Sequence, residues 1–265
     1  MNASHHQQIL FISGSRARAP HWSLVAAIIG MGAIPAMGVS PPDVSMFWQV
    51  AGDASTPINF DLAEAGIWSE QEDGSFVFSG NLFSDTWQLS WSTRVDTQTD
   101  LLLDSLISVT NTSSTEQWFT ANTVLDSIDA SINQQLLTLA ATLTVMNLQF
   151  SGTAELSSTS STSVIGSQVD GVTRGTLFDP IYVLTSAGPF AVATDSASMT
   201  AIAASVQQSL GNTSEFSLTA GDTATLHTIT SLAAIPAPGS LALLAIAASS
   251  GGFRRRRRSR SLSGN

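Results

Sequence analysis

Cysteine is absent from this sequence of 265 residues. Disulfide bonds, thiolate metal sites and cysteine nucleophiles are therefore excluded. Lysine is absent too, so all ten cationic side chains are arginines. Histidine is scarce, and only His227 lies away from the N-terminal stretch. A transition-metal site built on histidine and cysteine is therefore excluded for the central part of the chain.

The acidic residues are confined to the middle of the chain. All twenty lie between Asp43 and Asp222, where only Arg94 and Arg174 oppose them. The other arginines lie near the two ends. A strongly anionic surface repels nucleic acid and anionic lipid, so we expect neither as a partner of this central body.

The N-terminal region has the pattern of a signal peptide. Residues 1–23 contain arginines but no acid, and the apolar run 24–36 follows. The small residues Ala36 and Gly38 then stand where a signal peptidase requires small side chains. We predict a signal peptide over 1–38 that forms a helix and is cut after Gly38. The alternative is a buried strand or helix of the domain.

The C-terminal region, 231–265, has the pattern of a membrane tail. The apolar run 241–253 is short for a spanning helix, and extending it back to Leu232 gives a marginal span. An arginine cluster follows it directly and favours the cytoplasmic side of the membrane. We therefore predict a hydrophobic helix that keeps the body outside the membrane and the arginines inside.

This tail combines a proline-rich turn, a short Leu/Ala segment and an arginine run. The residues concerned are Pro236, Ala237, Pro238, Gly239, Arg254, Arg255, Arg256, Arg257 and Arg258. Over roughly 235–260 the tail resembles the PEP-CTERM sorting signal of Gram-negative bacteria, with Ala237 in place of the glutamate that gives the signal its name.

The resemblance implies that the protein meets several partners one after another. The export machinery would deliver a precursor anchored in the inner membrane by its C-terminal helix. A membrane protease of the exosortase type would then remove the tail and release the protein to the cell surface or the extracellular matrix. Proteins of this kind often accompany exopolysaccharide production. The alternative is an ordinary C-terminal anchor without a sorting step.

The body, 39–230, shows the period of two that is typical of half-buried strands. Trp87, Leu89 and Trp91 alternate with polar residues, and Phe76 and Phe78 do the same. Further strands are predicted at 101–110, 116–125, 136–150, 172–185, 189–194, 214–219 and 223–233. Short strands with frequent turns predict an all-β fold, a single antiparallel β-sandwich or jelly-roll-like domain between the two terminal helices.

Turn residues separate these strands. Asp73-Gly74 and Asp170-Gly171 are hairpin signals, 111–115 is typical of a polar hairpin, and Gly221-Asp222 separates the last two strands. Residues 151–168 have low complexity and predict a mobile loop or a solvent-facing edge hairpin.

Two segments also carry a helical pattern. The segment 132–150 allows a helix, although its threonines favour a strand. The segment 196–210 is left open between helix and strand. The body also resembles others found upstream of such tails, through its W-x-L-x-W, V-T-N-T-S and F-S-L-T-A-G-D segments. That resemblance implies a β-sandwich and no known activity.

Candidate chemistry in the body is sparse. His227 lies within a predicted strand, and no G-x-S-x-G turn accompanies it, so we expect a structural histidine rather than a catalytic base. Two acidic clusters are weak calcium candidates, since calcium needs only oxygen ligands. They contain Glu70, Glu72 and Asp73, and Asp96 and Asp100. The alternative is a pair of solvated turns, and we expect no other cofactor.

One tryptophan is a candidate ligand contact. Trp118 and Phe119 are adjacent in a predicted strand, so they point to opposite faces and one of them can be exposed. The leading hypothesis is an exported, non-enzymatic envelope or matrix protein. A carbohydrate-binding module with Trp118 or the acidic loops as contacts is the second. A secreted hydrolase is the third, and it requires a pocket around His227 or around a close pair of acids.

Overall fold

The computed structural model describes residues 40–98, 100–128, 135–203 and 206–235. The predicted signal peptide and the sorting residues from Pro236 to Arg258 lie outside these ranges. Of the helices that the described ranges contain, none is long and apolar enough to span a membrane.

The described residues form fifteen strands and one short helix, which confirms the all-β prediction. The strands are β1 (Val44–Val50), β2 (Ile58–Asp61), β3 (Ile67–Glu70), β4 (Phe76–Phe83), β5 (Trp87–Asp96), β6 (Leu101–Asn111), β7 (Gln117–Leu125), β8 (Gln135–Met146), β9 (Thr153–Ser157), β10 (Ile165–Val169), β11 (Val172–Leu177), β12 (Val183–Ala187), β13 (Val192–Ala203), β14 (Leu210–Leu218) and β15 (Thr223–Ala234). The helix α1 is Leu62–Ala65.

The strands form two antiparallel sheets that enclose one hydrophobic core, an arrangement consistent with a β-sandwich. The seven-stranded sheet has the order β13-β8-β15-β6-β5-β4-β3. The eight-stranded sheet has the order β11-β10-β14-β7-β1-β2, and β9 joins it by pairing with β14 and with β12.

Alternation of apolar and polar residues explains the strands. In β5, Trp87, Leu89 and Trp91 are buried and the residues between them are exposed or half-buried, as predicted. In β8, inward and outward residues alternate over the whole strand, so the helical alternative for 132–150 is wrong for the described part. Pairing with both β13 and β15 supplies hydrogen bonds along β8, and its outward threonines suit a pleated surface.

Aromatic rings join the two sheets at the core. Trp48 of β1 stacks on Phe119 of β7, with ring centroids 5.6 Å apart. Trp48 also lies 5.5 Å from Trp87, which belongs to the opposite sheet. Each buried ring of this kind contributes about 1.5–3 kcal/mol through removal from water. These contacts place the centre of the core near β1, β5 and β7.

Two of the predicted turns cross from one sheet to the other. The segment 111–115 leads from β6 in the seven-stranded sheet to β7 in the eight-stranded sheet, so its prediction as a hairpin is wrong. Gly221-Asp222 separates β14 from β15 as predicted, and it crosses back between the sheets. Asp73-Gly74 and Asp170-Gly171 do connect paired neighbours, so both hairpin predictions are confirmed.

Three other segments differ from their predictions. The low-complexity segment 151–168 contains β9 and the start of the buried strand β10, which do not pair with each other, so it is neither a single loop nor a solvent-facing edge hairpin. The segment 172–185 divides into β11 and β12, which have different partners. Within the open segment 196–210, the described residues up to Ala203 are a strand, since they continue β13.

Both ends of the described chain leave the sandwich at the same end. Val44 of β1 pairs with Leu125, where β7 ends, while Leu232 of β15 pairs with Leu101, where β6 begins. Since β6 and β7 are joined at their other ends, Val44 and Leu232 lie at one end of the molecule, which we name the proximal end. The opposite end is named the distal end.

The last strand extends further than the predicted body. β15 continues to Ala234, beyond the expected boundary at 230, and Leu232 is buried in it. Leu232 is therefore part of the core and is not available to a membrane span.

Candidate functional site

A row of polar side chains crosses the outer face of the seven-stranded sheet. It runs over four neighbouring strands and contains Asp104 (β6), His227 (β15), Thr142 (β8) and Ser196 (β13). The register pairs His227 with Thr142 and Thr142 with Ser196. Residues directly opposite on one face of a sheet have neighbouring side chains, so antiparallel pairing brings these groups together.

Two hydrogen bonds organise this polar row. His227 Nε2 lies 2.8 Å from Asp104 Oδ1, and Thr142 Oγ1 lies 3.0 Å from Ser196 Oγ. Small side chains beside the row, Ala140 and Ser198 among them, leave a shallow depression of about 290 Å³. The depression therefore exists because the side chains on these strands are small, and no loops converge to form it.

The pair of His227 and Asp104 is a surface interaction. Their side chains are 42% and 29% exposed, so water screens the attraction between them. Arg94 stands opposite Asp104 in the register, but its guanidinium donates 2.6 Å to Asp73 instead. His227 is thus hydrogen-bonded, as expected for a structural histidine in a strand.

The floor of the depression lacks the geometry of acyl transfer. Stabilising a developing oxyanion requires backbone or side-chain N–H groups that point at the reacting atom. Around Thr142 the backbone N–H groups face along the sheet, because β8 pairs on both sides with β13 and β15. The polar row therefore contains an acid, a histidine and hydroxyl groups. The backbone N–H groups of its strands are hydrogen-bonded to neighbouring strands and do not point into the depression.

The two predicted calcium clusters lie in neighbouring turns at the proximal end. The side-chain hydroxyl and backbone N–H of Ser75 donate to Asp73 and lower the pKa of that carboxyl, and Arg94 adds to the effect. Asp96 Oδ1 accepts from the backbone N–H of Gln98 at 2.9 Å. Glu70 ends β3, Glu72 lies in the turn that follows it, and Asp100 lies in the turn after β5. No metal-binding group of three or more histidines or acids occurs in the described part of the chain, and calcium binding stays a prediction.

Trp118 lies at the distal end of β7 on the outer face of the eight-stranded sheet. It is 36% exposed, while Phe119 is fully buried, so the prediction that the two point to opposite faces is confirmed. The same outer face carries Gln49 on the adjoining strand β1, opposite Thr120 of β7. Trp118 therefore combines a partly exposed ring with one amide side chain on the neighbouring strand.

The contact between His227 and Asp104 could not be predicted from the sequence. The two residues are 123 positions apart, and they meet only because β6 and β15 are neighbours. The alternation within each strand did predict that both side chains point outward, because the residues on either side of each are buried. Local periodicity shows which face a residue occupies and says nothing about its partner strand.

The sequence was compared with models of protein families and with curated proteins, and neither comparison finds a match.

Proposed function

We propose that this chain is an exported, non-enzymatic protein that is displayed at the bacterial envelope or released into the extracellular matrix. The observation that supports it best is the shared position of the two chain ends. The described chain begins and ends at the proximal end of the sandwich, next to the two predicted membrane segments. A body tethered at one end holds its distal end away from the membrane.

The charge distribution supports the same arrangement. Every acid lies within 43–222, and most of the arginines lie in the two terminal segments. An anionic body is repelled by anionic lipid, whereas arginines beside an apolar segment stay on the cytoplasmic side. The charges therefore favour a body in water beyond the membrane.

The polar row supports a non-enzymatic protein over a secreted hydrolase. His227 has an acid and hydroxyl groups nearby. The backbone N–H groups that could stabilise an oxyanion are instead hydrogen-bonded between neighbouring strands of the sheet. The depression is also shallow and lies on a flat sheet face rather than in a cleft.

Localisation and tail removal are tested together by fractionating native cells and measuring the intact mass of the protein. We expect a mass that lacks both 1–38 and the arginine cluster, in the envelope or the medium. A full-length cytoplasmic protein would show the proposal to be wrong. An envelope protein that retains its arginines would favour an ordinary anchor.

A variant pair sharpens this test. Leu244→Arg places a charge in the apolar run 241–253, at a cost of about 2.5–3.5 kcal/mol for membrane insertion. We expect loss of anchoring and of tail removal. Ser263→Arg adds the same charge beyond the arginine cluster and serves as the matched control, with unchanged sorting.

Carbohydrate binding is a second candidate, favoured by Trp118 and by the amide of Gln49 on the neighbouring strand. Exposed aromatic rings stack on sugar rings, and amide groups donate and accept hydrogen bonds. A panel of neutral polysaccharides with and without calcium is the test. Trp118→Ala should abolish retention, while Phe83→Ala removes a more exposed ring from the other sheet and should not. Equal binding by both variants would exclude the Trp118 site.

A further inference from the structure

Strand β13 is a long, regular edge of the seven-stranded sheet. It pairs with β8 over twelve residues, from Val192 to Ala203, without a shift in register. Within the described ranges, no strand pairs with its other side. The backbone N–H and C=O groups on that side form a template for another strand.

The devices that protect edge strands are nearly absent here. Lysine on the edge, proline, bulges and inward charges are the usual means of preventing strand addition. β13 contains neither lysine nor proline, and its pairing with β8 is continuous. Its single charged residue, Asp195, stands at an inward position opposite the buried Leu143 and is the one such device on this edge. The Asp195 carboxylate accepts a hydrogen bond of 2.9 Å from the hydroxyl of Tyr182.

The sequence of β13 is nearly symmetric about Ala197. Reading outward from Ala197, a serine stands on each side, then Asp195 and Met199, then two threonines, two alanines and finally Val192 and Ile202. If two copies of this strand were paired antiparallel around Ala197, hydroxyls would face hydroxyls, and Val192 of each copy would face Ile202 of the other. Like side chains pair favourably in antiparallel sheets.

Several of the large exposed apolar side chains in the described ranges lie on or beside this edge, while others, Ile67, Phe83 and Leu106 among them, lie elsewhere. Ile202 is 73% exposed and Val192 is 55% exposed. Large exposed side chains also occupy the elements beside β13, namely Leu136, Phe150, Ile181, Val183 and Phe190. Contiguous exposed apolar surface is typical of an interaction site, and here it borders an open strand edge.

We infer that two copies of this chain associate through β13, antiparallel and with a twofold axis at Ala197. The pairing joins two seven-stranded sheets into one continuous sheet and covers Val192 and Ile202 of both copies. An isologous contact of this kind closes as a dimer and does not propagate. This inference is independent of the proposed export.

The antiparallel arrangement has a geometric consequence. β13 runs from the distal end to the proximal end, so the two proximal ends of the dimer point in opposite directions. Two chains tethered to the same membrane by their proximal ends cannot both adopt this pairing. The dimer therefore suits released chains, or chains on two facing surfaces.

Cross-linking tests the register, because the natural chain has no cysteine. In the proposed dimer Ala197 pairs with itself, at a Cα separation of about 4.5–5.5 Å, which a disulfide can bridge. The full chain carrying Ala197→Cys, kept in mild detergent and oxidised gently, should form a covalent dimer. Ser90→Cys places the thiol on the same sheet but on β5, away from the edge, and should stay monomeric.

A mixture of two further variants adds a second register check. Ser196 of one copy faces Ser198 of the other in this pairing, so Ser196→Cys mixed with Ser198→Cys should give a mixed disulfide faster than either alone. Equal rates for the mixture and the separate variants would overturn the register, and equal cross-linking by Ala197→Cys and Ser90→Cys would overturn the interface.

Sedimentation velocity on the full chain tests the association itself. Ser198→Lys places an ammonium group on each copy within the paired strands and should raise the dimer dissociation constant at least about tenfold. Ser90→Lys makes the same change on β5 and should leave the constant unchanged. A monomeric natural chain, or a dimer that persists in Ser198→Lys because the tail holds it, would overturn the inference.

Discussion

Replacement of Asn111 by aspartate should destabilise the protein strongly, although the two side chains have nearly the same shape. Asn111 is fully buried, where β6 crosses to the other sheet. Its amide nitrogen donates to the carbonyl oxygens of Thr115, Leu218 and Thr219 at 2.8, 2.9 and 3.2 Å. Its amide oxygen accepts from the backbone N–H of Ser113 at 3.0 Å.

The geometry sets the size of the effect. In Asn111→Asp a carboxylate oxygen replaces the donor and faces three carbonyl oxygens. The buried Leu218 carbonyl loses its partner at a cost of about 1–3 kcal/mol, and the buried charge, which faces all three oxygens, adds to this. We expect a loss of about 3–5 kcal/mol in the free energy of unfolding, since the side chain holds the β6–β7 and β14–β15 crossings together.

Urea denaturation of the full chain at neutral pH measures this loss. Asn81→Asp makes the same chemical change at an exposed position of β4 and should alter the free energy of unfolding by less than about 0.5 kcal/mol. A similar small change for Asn111→Asp would refute the view that this side chain bridges the two crossings.

Three further changes test the described contacts. Partial burial raises the pKa of Asp170, but three backbone N–H donors before β14 outweigh it and lower that pKa below 3.8. Asp170→Asn should therefore cost about 1 kcal/mol at neutral pH, and urea titrations should show the difference shrinking as acidification protonates the natural carboxylate. His227→Ala should change stability by less than about 1 kcal/mol, because its pair with Asp104 is solvated. Gly80→Ala should lower thermal stability by about 1–3 kcal/mol, since the added Cβ would lie 2.2 Å from the Trp91 ring.

Much of the strand content was predictable because period-two alternation is a local property. Trp87, Leu89 and Trp91 show which face of β5 is buried without reference to any other strand. Asp170-Gly171 was predictable for the same reason, since both residues adopt the positive φ that a type I′ turn requires.

The segments predicted wrongly are those in which a distant partner decides the outcome. The segment 111–115 has the composition of a hairpin turn, yet it joins different sheets because β6 pairs with β15 and β7 pairs with β1 and β14. The segment 151–168 is rich in serine and threonine, yet β10, which begins within it, is buried because β11 and β14 flank it. Composition alone carries no information about these neighbours.

The sequence by itself determined the all-β character, the anionic body between two apolar segments, and the absence of cysteine and lysine chemistry. These properties follow from residue types and from spacings within a few positions. Only the tertiary structure decided that His227 meets Asp104, that the described chain begins and ends at the proximal end, and that β13 is an edge strand within the described ranges. Each depends on strand order, which arises from the packing of the whole core rather than from any single segment.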